Sequence, residues 1–389
     1  MDADRSLAIQ LKTIYLPWSE TFIHRHLARM RRWQPYMFAE RLENLGQFSI
    51  DALGQLYRPA LPRRAAYGLL RRLAHDETLR APFRSGPQLA HALRGARLLH
   101  AHFGEAGIAA LPIQRRSGLP LITSFHGRDV AKPAARWYGQ RLYRRLFQRG
   151  AAFVAISHQM RAQLIGLGAP AERVAVIRTG IDPDEIPFAA RQAPAGGAVR
   201  LLTCGRLVEK KGTRYAIAAV ARLRAAQPGL SLTVIGDGPL RADLERQAAA
   251  AGVADRVRFL GVQPAERVIA EMLACQIFVL PCVTAADGDQ EGVPVVLMEA
   301  QASGMPVVSS RHAGVPEVVR EGASGYLAPE RDVDELARAI ATLLDQPERW
   351  PALGAAGRQH MLDEFDVNQA AGQLEALYDS IAGARRPLY

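Results

Sequence analysis

The sequence predicts an α/β protein made of two doubly wound, Rossmann-like domains, and three observations predict it. Short apolar strands alternate with helical patterns through the second half, and the same grammar recurs less regularly in the first. A chain of 389 residues with 49% hydrophobic content can fill two cores of ordinary size. The charge changes sign between the halves: residues 1–195 carry 29 Lys and Arg against 14 Asp and Glu, a net +15, and residues 196–389 carry 20 against 24, a net −4.

In chain order, strands read at "ARLLHAHF" (96–103), "LPLITSFHG" (119–127), "AAFVAIS" (151–157) and "RVAVIRTG" (173–180). The Pro-, Gly- and Ala-rich stretch "IDPDEIPFAARQAPAGGA" (181–198) then separates the basic half from the acidic one, so the spacing predicts domains over 1–190 and 191–366. Beyond it, strands read at "RLLTCG" (200–205), "SLTVIG" (231–236), "RVRFLG" (256–261), "IFVLPC" (277–282) and "PVVSS" (306–310), each apolar as a strand buried on both faces must be. Helical patterns fill the gaps at 213–227, 239–251, 264–275 and 294–304. Residues 367–389 supply a last amphipathic helix, "VNQAAGQLEALYDSIAG" (367–383), expected to pack back on the first domain.

Composition narrows the partners. No run of about 18 apolar residues appears, and the start "MDADRSLAIQLK" lacks the basic-then-apolar order of a secretory signal. Cys204, Cys275 and Cys282 are too few for a disulfide framework or a zinc site, which suits buried thiols in a reducing cytoplasm. The basic stretches "RHLARMRRW" (25–33), "RRAAYGLLRRLA" (63–74) and "RWYGQRLYRRLFQRG" (136–150) interleave Arg with apolar and aromatic residues at helical spacing. Such faces suit an anionic membrane surface, a nucleic acid or a polyanionic substrate, or are simply solvated; contact with the inner side of the cytoplasmic membrane is the expectation. No nucleic-acid-binding module accompanies the charge, so nucleic acid is not expected as a partner.

The residues that carry chemistry fall at strand ends, where a doubly wound sheet gathers its ligands. "CGRLVEKKGTRYAI" (204–217) sets Gly205 and Arg206, then Lys210, Lys211 and Gly212, between a strand and a helix. An Arg fork and a Lys point charge together suit a diphosphate. Only four lysines stand against forty-five arginines, and two of the four are adjacent here. In "IGDGPLRADLE" (235–245), Gly236 and Gly238 let the backbone approach a ligand. "DGDQEGVPVVLMEAQASGMPVVSS" (287–310) places Glu291 in a loop and Glu299 more than one turn inside a helix that Pro294 can begin. One carboxylate then reaches beyond the helix mouth while the other runs along its side.

Together these motifs resemble the nucleotide-sugar half of the retaining family-4 glycosyltransferases, and the likeness covers the second domain in order. The wording of "TAADGDQEGVPVVLMEA" (284–300) is similar to the subgroup that builds exopolysaccharide and colanic-acid-type repeat units. "HAHFG" (100–104), "TSFHGRDV" (123–130) and "SETFI" (19–23) are similar to that subgroup's acceptor-side motifs. The resemblance implies a GT-B fold of two facing domains and a hexosyl transfer from a nucleotide sugar, UDP-linked before GDP-linked, to a lipid-pyrophosphate-linked glycan. It implies that Glu299 binds the ribose and Glu291 the sugar, with Gly292 and Val293 beside it. It further implies that Arg206 and Lys211 hold the pyrophosphate and that His126 meets the sugar from the other domain. Ser19, Glu20, Thr21, His102 and Asp129 become acceptor-side residues. No cofactor is implied, the nucleotide sugar being a substrate, and no metal: Asp287 and Asp289 lie in a loop while Arg206 and Lys211 supply the cationic role.

Two departures from the wider family stand out: Pro294 where glycine is frequent, and "LPWSETFI" (16–23) in place of a Gly-Gly loop. Two rival readings use the same fold: another enzyme class, a nucleotide-sugar epimerase or a phosphorylase, and an inactive nucleotide-binding partner protein. The simultaneous presence of Arg206, Lys211, His126, Glu291 and Glu299 favours transfer.

Overall fold

Runs of Val, Ile, Leu and Ala bounded by Gly, Pro and Asp form thirteen strands among the described residues. The computed structural model describes residues 5–17, 20–46, 52–56, 83, 86–130 and 137–383. Seven strands belong to a first unit: β1 (Ser6–Tyr15), β2 (Trp33–Leu42), β3 (Leu53–Gln55), β4 (Ala96–His102), β5 (Leu121–Ser124), β6 (Ala152–Ala155) and β7 (Val174–Val176). Six belong to a second: β8 (Arg200–Cys204), β9 (Ser231–Ile235), β10 (Val257–Gly261), β11 (Ile277–Leu280), β12 (Val307–Ser310) and β13 (Gly325–Ala328).

The sheet orders are β3-β2-β1-β4-β5-β6-β7 and β10-β9-β8-β11-β12-β13. Neighbours pair in parallel, for example Thr203 with Val234 and Val308 with Tyr326. Parallel pairing requires crossover helices on both faces, which buries the central strands on two sides. Leu201, Leu202, Ile277, Phe278 and Val279 are accordingly fully buried. The order reverses between β1 and β4 in one sheet and between β8 and β11 in the other. These switch points open the crevices in which doubly wound sheets hold ligands.

The units divide as 1–180 with 367–389, and 181–366. Composition alone puts the break ten residues later, at 190, and bonding explains why 181–190 goes with the second unit. The Ile181 amide donates to the Phe365 carbonyl at 2.8 Å and the Ala189 amide to that of Ser303 at 3.1 Å. The buried guanidinium of Arg191 donates to the carbonyls of Cys275 at 3.1 Å and Met272 at 2.7 Å. Those carbonyls end the helix Ala265–Ala274 and would otherwise lack partners.

The last helix, Val367–Gly383, belongs to the first unit. Its buried Glu375 accepts from three consecutive amides, Arg31 at 2.8 Å, Arg32 at 2.6 Å and Trp33 at 3.0 Å. Asp379 takes the Trp33 indole N–H at 2.8 Å, and the Tyr378 ring meets that indole edge-on at 5.2 Å. Charge-assisted bonds whose loss orphans buried donors cost more than neutral ones. Glu375→Ala is therefore expected to lower unfolding free energy by about 2–4 kcal/mol in urea titrations. A loss under about 1 kcal/mol would show that the helix holds by apolar contact alone.

Candidate functional site

In the second unit the β8 and β11 ends are lined by turns that glycine makes possible. Gly205 follows β8 at φ +152° and Gly236 follows β9 at φ +122°. A Cβ on Gly236 would overlap the Gly205 carbonyl oxygen, and one on Gly238 would come within 2.6 Å of the Leu207 oxygen. The two turns are joined by Leu207 donating to Asp237 at 2.9 Å and Leu240 donating to Leu207 at 3.1 Å. The missing Cβ atoms thus let the two turns pack backbone against backbone at the strand ends.

Gly212, at φ +67°, sits against the Pro281 carbonyl just beyond β11 and starts the helix Thr213–Leu223. It brings the turn Glu209–Lys211 across the switch point. That turn grips the loop 284–291 with all three side chains. Glu209 accepts from the Ala286 amide at 3.0 Å. Lys210 Nζ lies 3.3 Å from Asp289 Oδ1, 3.2 Å from Glu291 Oε1 and 3.4 Å from the Gln290 carbonyl. Lys211 Nζ lies 3.0 Å from Glu291 Oε2.

The side chains of Lys210, Lys211 and Glu291 are only 18, 15 and 13% exposed, so these pairs escape much of the solvent screening that weakens surface ion pairs. Burial would raise the Glu291 carboxyl, but Lys211 and then Lys210 bring it down to about 2. Burial likewise opposes the Lys211 ammonium, and Glu291 raises it above the usual lysine range despite that. Both groups are ionised at neutral pH.

Glu291 is also held through its backbone. Its N–H donates to Nε2 of buried His312 at 3.2 Å, and His312 Nδ1–H donates to Glu330 at 2.6 Å. Glu330 accepts the Thr284 amide at 2.8 Å. Burial works against its charge, yet the His312 and Thr284 donors keep its carboxyl below the usual range. Sequence reasoning missed His312 and Glu330 and assigned Lys210 no role of its own. The available signal was position: His312 and Glu330 each stand two residues beyond a strand end, β12 and β13.

Pro294 sits immediately before the helix Val295–Ala302, one position earlier than a first-turn proline, and its carbonyl takes the Leu297 amide at 3.1 Å. The Val295 and Val296 amides open the first turn, which has no intrahelical acceptor for them. Gly292 and Val293 are buried beside that mouth, and the Gly292 carbonyl takes the Gly314 amide at 3.1 Å. Half-buried Glu299 lies along the same helix. With burial, its charge pushes the Cys204 thiol, at the end of β8, up to about 12. Arg206 is exposed in the turn after Gly205. Cys275 and Cys282 are buried free thiols and Cys204 is half-buried. Asp287 accepts the Asp289 amide at 2.9 Å while Asp289 faces Lys210. Among the described residues, no three His, Cys, Asp or Glu side chains cluster to hold a metal ion.

The first unit concentrates polar groups at its β1/β4 switch point. Phe103 takes φ +75° directly after β4, which turns its ring under the Lys12 ammonium at 4.2 Å. Buried Lys12 pairs with Glu20, the residue before the helix Thr21–Ala28. Ser19 lies outside the described residues, and Thr21 is the first residue of that helix. Burial lowers the Lys12 ammonium against the pull of Glu20.

Both ring nitrogens of His126 are shut off from solvent and have no hydrogen-bond partner among the described residues. Its ring is packed by Phe103 at 4.7 Å, Phe22 at 5.0 Å and His102 at 6.0 Å. Burial, then the Lys12 charge, holds it well below the usual histidine range, so the ring is neutral. Asp129 carries the loop that presents it, accepting from His126 N and Gly127 N at 3.0 Å each and from Gly104 N at 2.9 Å. His102 Nε2 reaches Gln10 at 3.1 Å, and Gln10 and His100 both meet the Tyr378 hydroxyl, at 3.2 and 2.5 Å. Those two histidines, kept neutral by burial, thereby join the sheet to the last helix.

Both units resemble known proteins. Residues 22–185 match the family described as Glycosyltransferase Family 4, and residues 188–360 match Glycosyl transferases group 1. The amylovoran biosynthesis glycosyltransferase AmsK of Erwinia amylovora is 36% identical over 283 residues, 72% of this chain and 69% of that protein. The putative colanic acid biosynthesis glycosyltransferase WcaL of Escherichia coli is 34% identical over 72% of this chain and 70% of its own. A GDP-mannose-dependent alpha-(1-6)-phosphatidylinositol monomannoside mannosyltransferase of Mycolicibacterium smegmatis is 32% identical over 83% of this chain and 87% of its own. In fold, the crystal structure of Anabaena Alr3699/HepE in complex with UDP superposes with a TM-score of 0.76 at 20% identity, covering 96% of this chain and all of that one. Relatives of this identity and coverage, together with two parallel sheets of seven and six strands, establish that the chain belongs to the retaining, nucleotide-sugar-dependent glycosyltransferases of family 4, with the GT-B fold.

Proposed function

We propose that this enzyme transfers a hexose from a UDP-sugar, with GDP as the second choice of nucleotide, to a lipid-pyrophosphate-linked glycan during assembly of a bacterial exopolysaccharide. The observation that carries the reading is the cluster Lys211–Glu291–Lys210 at the β8/β11 switch point. It places cations and a fixed carboxylate where an anionic donor bearing hydroxyl groups would enter. The similarity to AmsK and WcaL supports the exopolysaccharide assignment.

In this reading Lys211, Arg206 and the free amides before Leu297 take up the charge that grows on the diphosphate as the anomeric C–O bond breaks. Glu299 accepts from the ribose hydroxyls. Glu291, ionised and clamped by two ammonium groups, is suited to accept from sugar hydroxyls rather than to attack carbon. The acceptor oxygen then attacks on the face the diphosphate leaves, and its proton passes to a leaving phosphate oxygen. His126 is assigned to the donor sugar by the family resemblance, and its neutral ring carries one donor and one acceptor. Glu20, Thr21, Ser19, His102 and Asp129 remain assigned to the acceptor side. Asp129 acts there by holding the His126 loop. The reaction needs no metal in this reading, because Arg206 and Lys211 fill the cationic role.

Titrating a panel of UDP- and GDP-sugars by calorimetry, followed by turnover with and without EDTA, tests this reading. A UDP-sugar that binds and turns over in EDTA supports it. Turnover restored only by Mn²⁺ or Mg²⁺ would overturn the metal-free mechanism.

The acceptor class places the enzyme at the inner face of the cytoplasmic membrane. Among the described residues no helix is long and apolar enough to cross a membrane. On the helix Trp137–Arg149, Tyr143, Leu146 and Phe147 are buried while Arg141, Arg144 and Arg145 are exposed. Of the other two basic stretches, 63–74 lies outside the described residues, and in 25–33 Arg32 pairs with Asp379 at 3.1 Å. Each Arg held near an anionic surface contributes about 1 kcal/mol. Reversing Arg141, Arg144 and Arg145 to Glu is expected to abolish most binding to anionic liposomes in flotation assays, with donor binding unchanged. Undiminished flotation would assign this face to solvent.

A further inference from the structure

Two lysines share one carboxylate at the donor site, and the chemistry asked of them differs. Lys211 has a single ion-pair partner among the described residues, Glu291 at 3.0 Å. Lys210 has three oxygens around its ammonium: Glu291 at 3.2 Å, Asp289 at 3.3 Å and the Gln290 carbonyl at 3.4 Å. An ammonium has three N–H donors, so this set uses all that Lys210 has.

A diphosphate arriving at the switch point recruits Lys211, whose ammonium is then shared between phosphate and Glu291 and neutralises the carboxylate less fully. A carboxylate left 13% exposed without a counter-ion is strongly disfavoured. We propose that Lys210 is a positioning residue: the permanent counter-ion that keeps Glu291 compensated and in place, and so releases Lys211 to bind the diphosphate. The four groups Lys210, Lys211, Asp289 and Glu291 are neutral as a set without ligand. With diphosphate bound, Lys210 still faces both carboxylates and Lys211 faces phosphate. The Glu291 backbone is meanwhile fixed by His312 at 3.2 Å, so the carboxylate does not have to follow Lys211.

The proposal rests on the assignment of Lys211 to the diphosphate, and it makes a prediction that direct contact between Lys210 and phosphate would not. Removing Lys210 harms diphosphate binding only while Glu291 bears a charge. UDP and GDP binding would be measured by calorimetry in parallel for the parent, Lys211→Ala, Lys210→Met, Lys210→Arg, Glu291→Gln and the double variant Lys210→Met/Glu291→Gln. Melting temperatures would confirm that each variant is folded.

Lys210→Met is expected to weaken diphosphate binding about tenfold, and Lys210→Arg, which keeps the charge, by less than about threefold. In the Glu291→Gln background, Lys210→Met is expected to change affinity by less than about threefold, because glutamine needs no counter-ion. An equal loss in both backgrounds would mean that Lys210 touches the phosphate itself and would overturn the proposal. So would parental affinity in Lys210→Met. If Lys211→Ala binds both nucleotides like the parent, the assignment of Lys211 fails and the proposal with it. A loss in Lys211→Ala with none in Lys210→Met defeats the proposal alone.

Discussion

Glu291→Ala is expected to lower kcat by about 10²–10³-fold while nucleoside diphosphate affinity stays at or above that of the parent. The two effects divide because of what the carboxylate touches. It is held at 3.0 and 3.2 Å by Lys211 and Lys210, so its removal frees ammonium groups to meet phosphate. In the proposed assignment what is lost is an acceptor for sugar hydroxyls, on a loop that His312, Glu330 and Glu209 all tie down. A contact that strengthens as the anomeric carbon gains positive character acts on kcat rather than on ground-state binding. Turnover within about threefold of the parent would remove Glu291 from the reaction.

Gly212→Ala is expected to destabilise the second unit by about 3 kcal/mol or more and to abolish donor binding with it. Two independent costs coincide at this residue. Its φ of +67° is one that a Cβ-bearing residue adopts only with strain, and the Cβ would overlap the Pro281 carbonyl oxygen. Neither obstacle is a flexible side chain, so relief requires moving the turn Glu209–Lys211 away from β11. Gly372→Ala, on the last helix with nothing near its Cβ, is the matched control and should be neutral or slightly stabilising. A Gly212→Ala variant that melts like the parent would mean the turn is free to shift.

Much of the second unit was legible because strands buried on both faces are written as unbroken apolar runs. β8, β9, β10, β11 and β12 each begin and end within one residue or a few of the segments read from sequence. β1 escaped detection because Gln10 and Lys12 interrupt its apolar pattern, and both are buried for reasons of tertiary contact: Gln10 joins His102 to Tyr378, and Lys12 pairs with Glu20. β13 is only four residues long, and the helices Val333–Asp345 and Trp350–Glu364 after it were not singled out. Glycine and charge singled out Gly205, Gly236 and Lys211 near strand ends and Glu291 in the loop after β11. Lys210, His312 and Glu330 act on Glu291 from separate stretches of chain, and only folding brings those stretches together.

A nucleoside diphosphate is expected to bind the second unit with its phosphates on Lys211. Calorimetric titration of the parent and Lys211→Ala with UDP, alongside uridine in competition format, tests it most directly. Lys211→Ala is expected to lose about 1.5–3 kcal/mol of affinity for UDP and essentially none for uridine, as befits one charge-assisted contact. Equal losses for both ligands, or no loss for UDP, would contradict it.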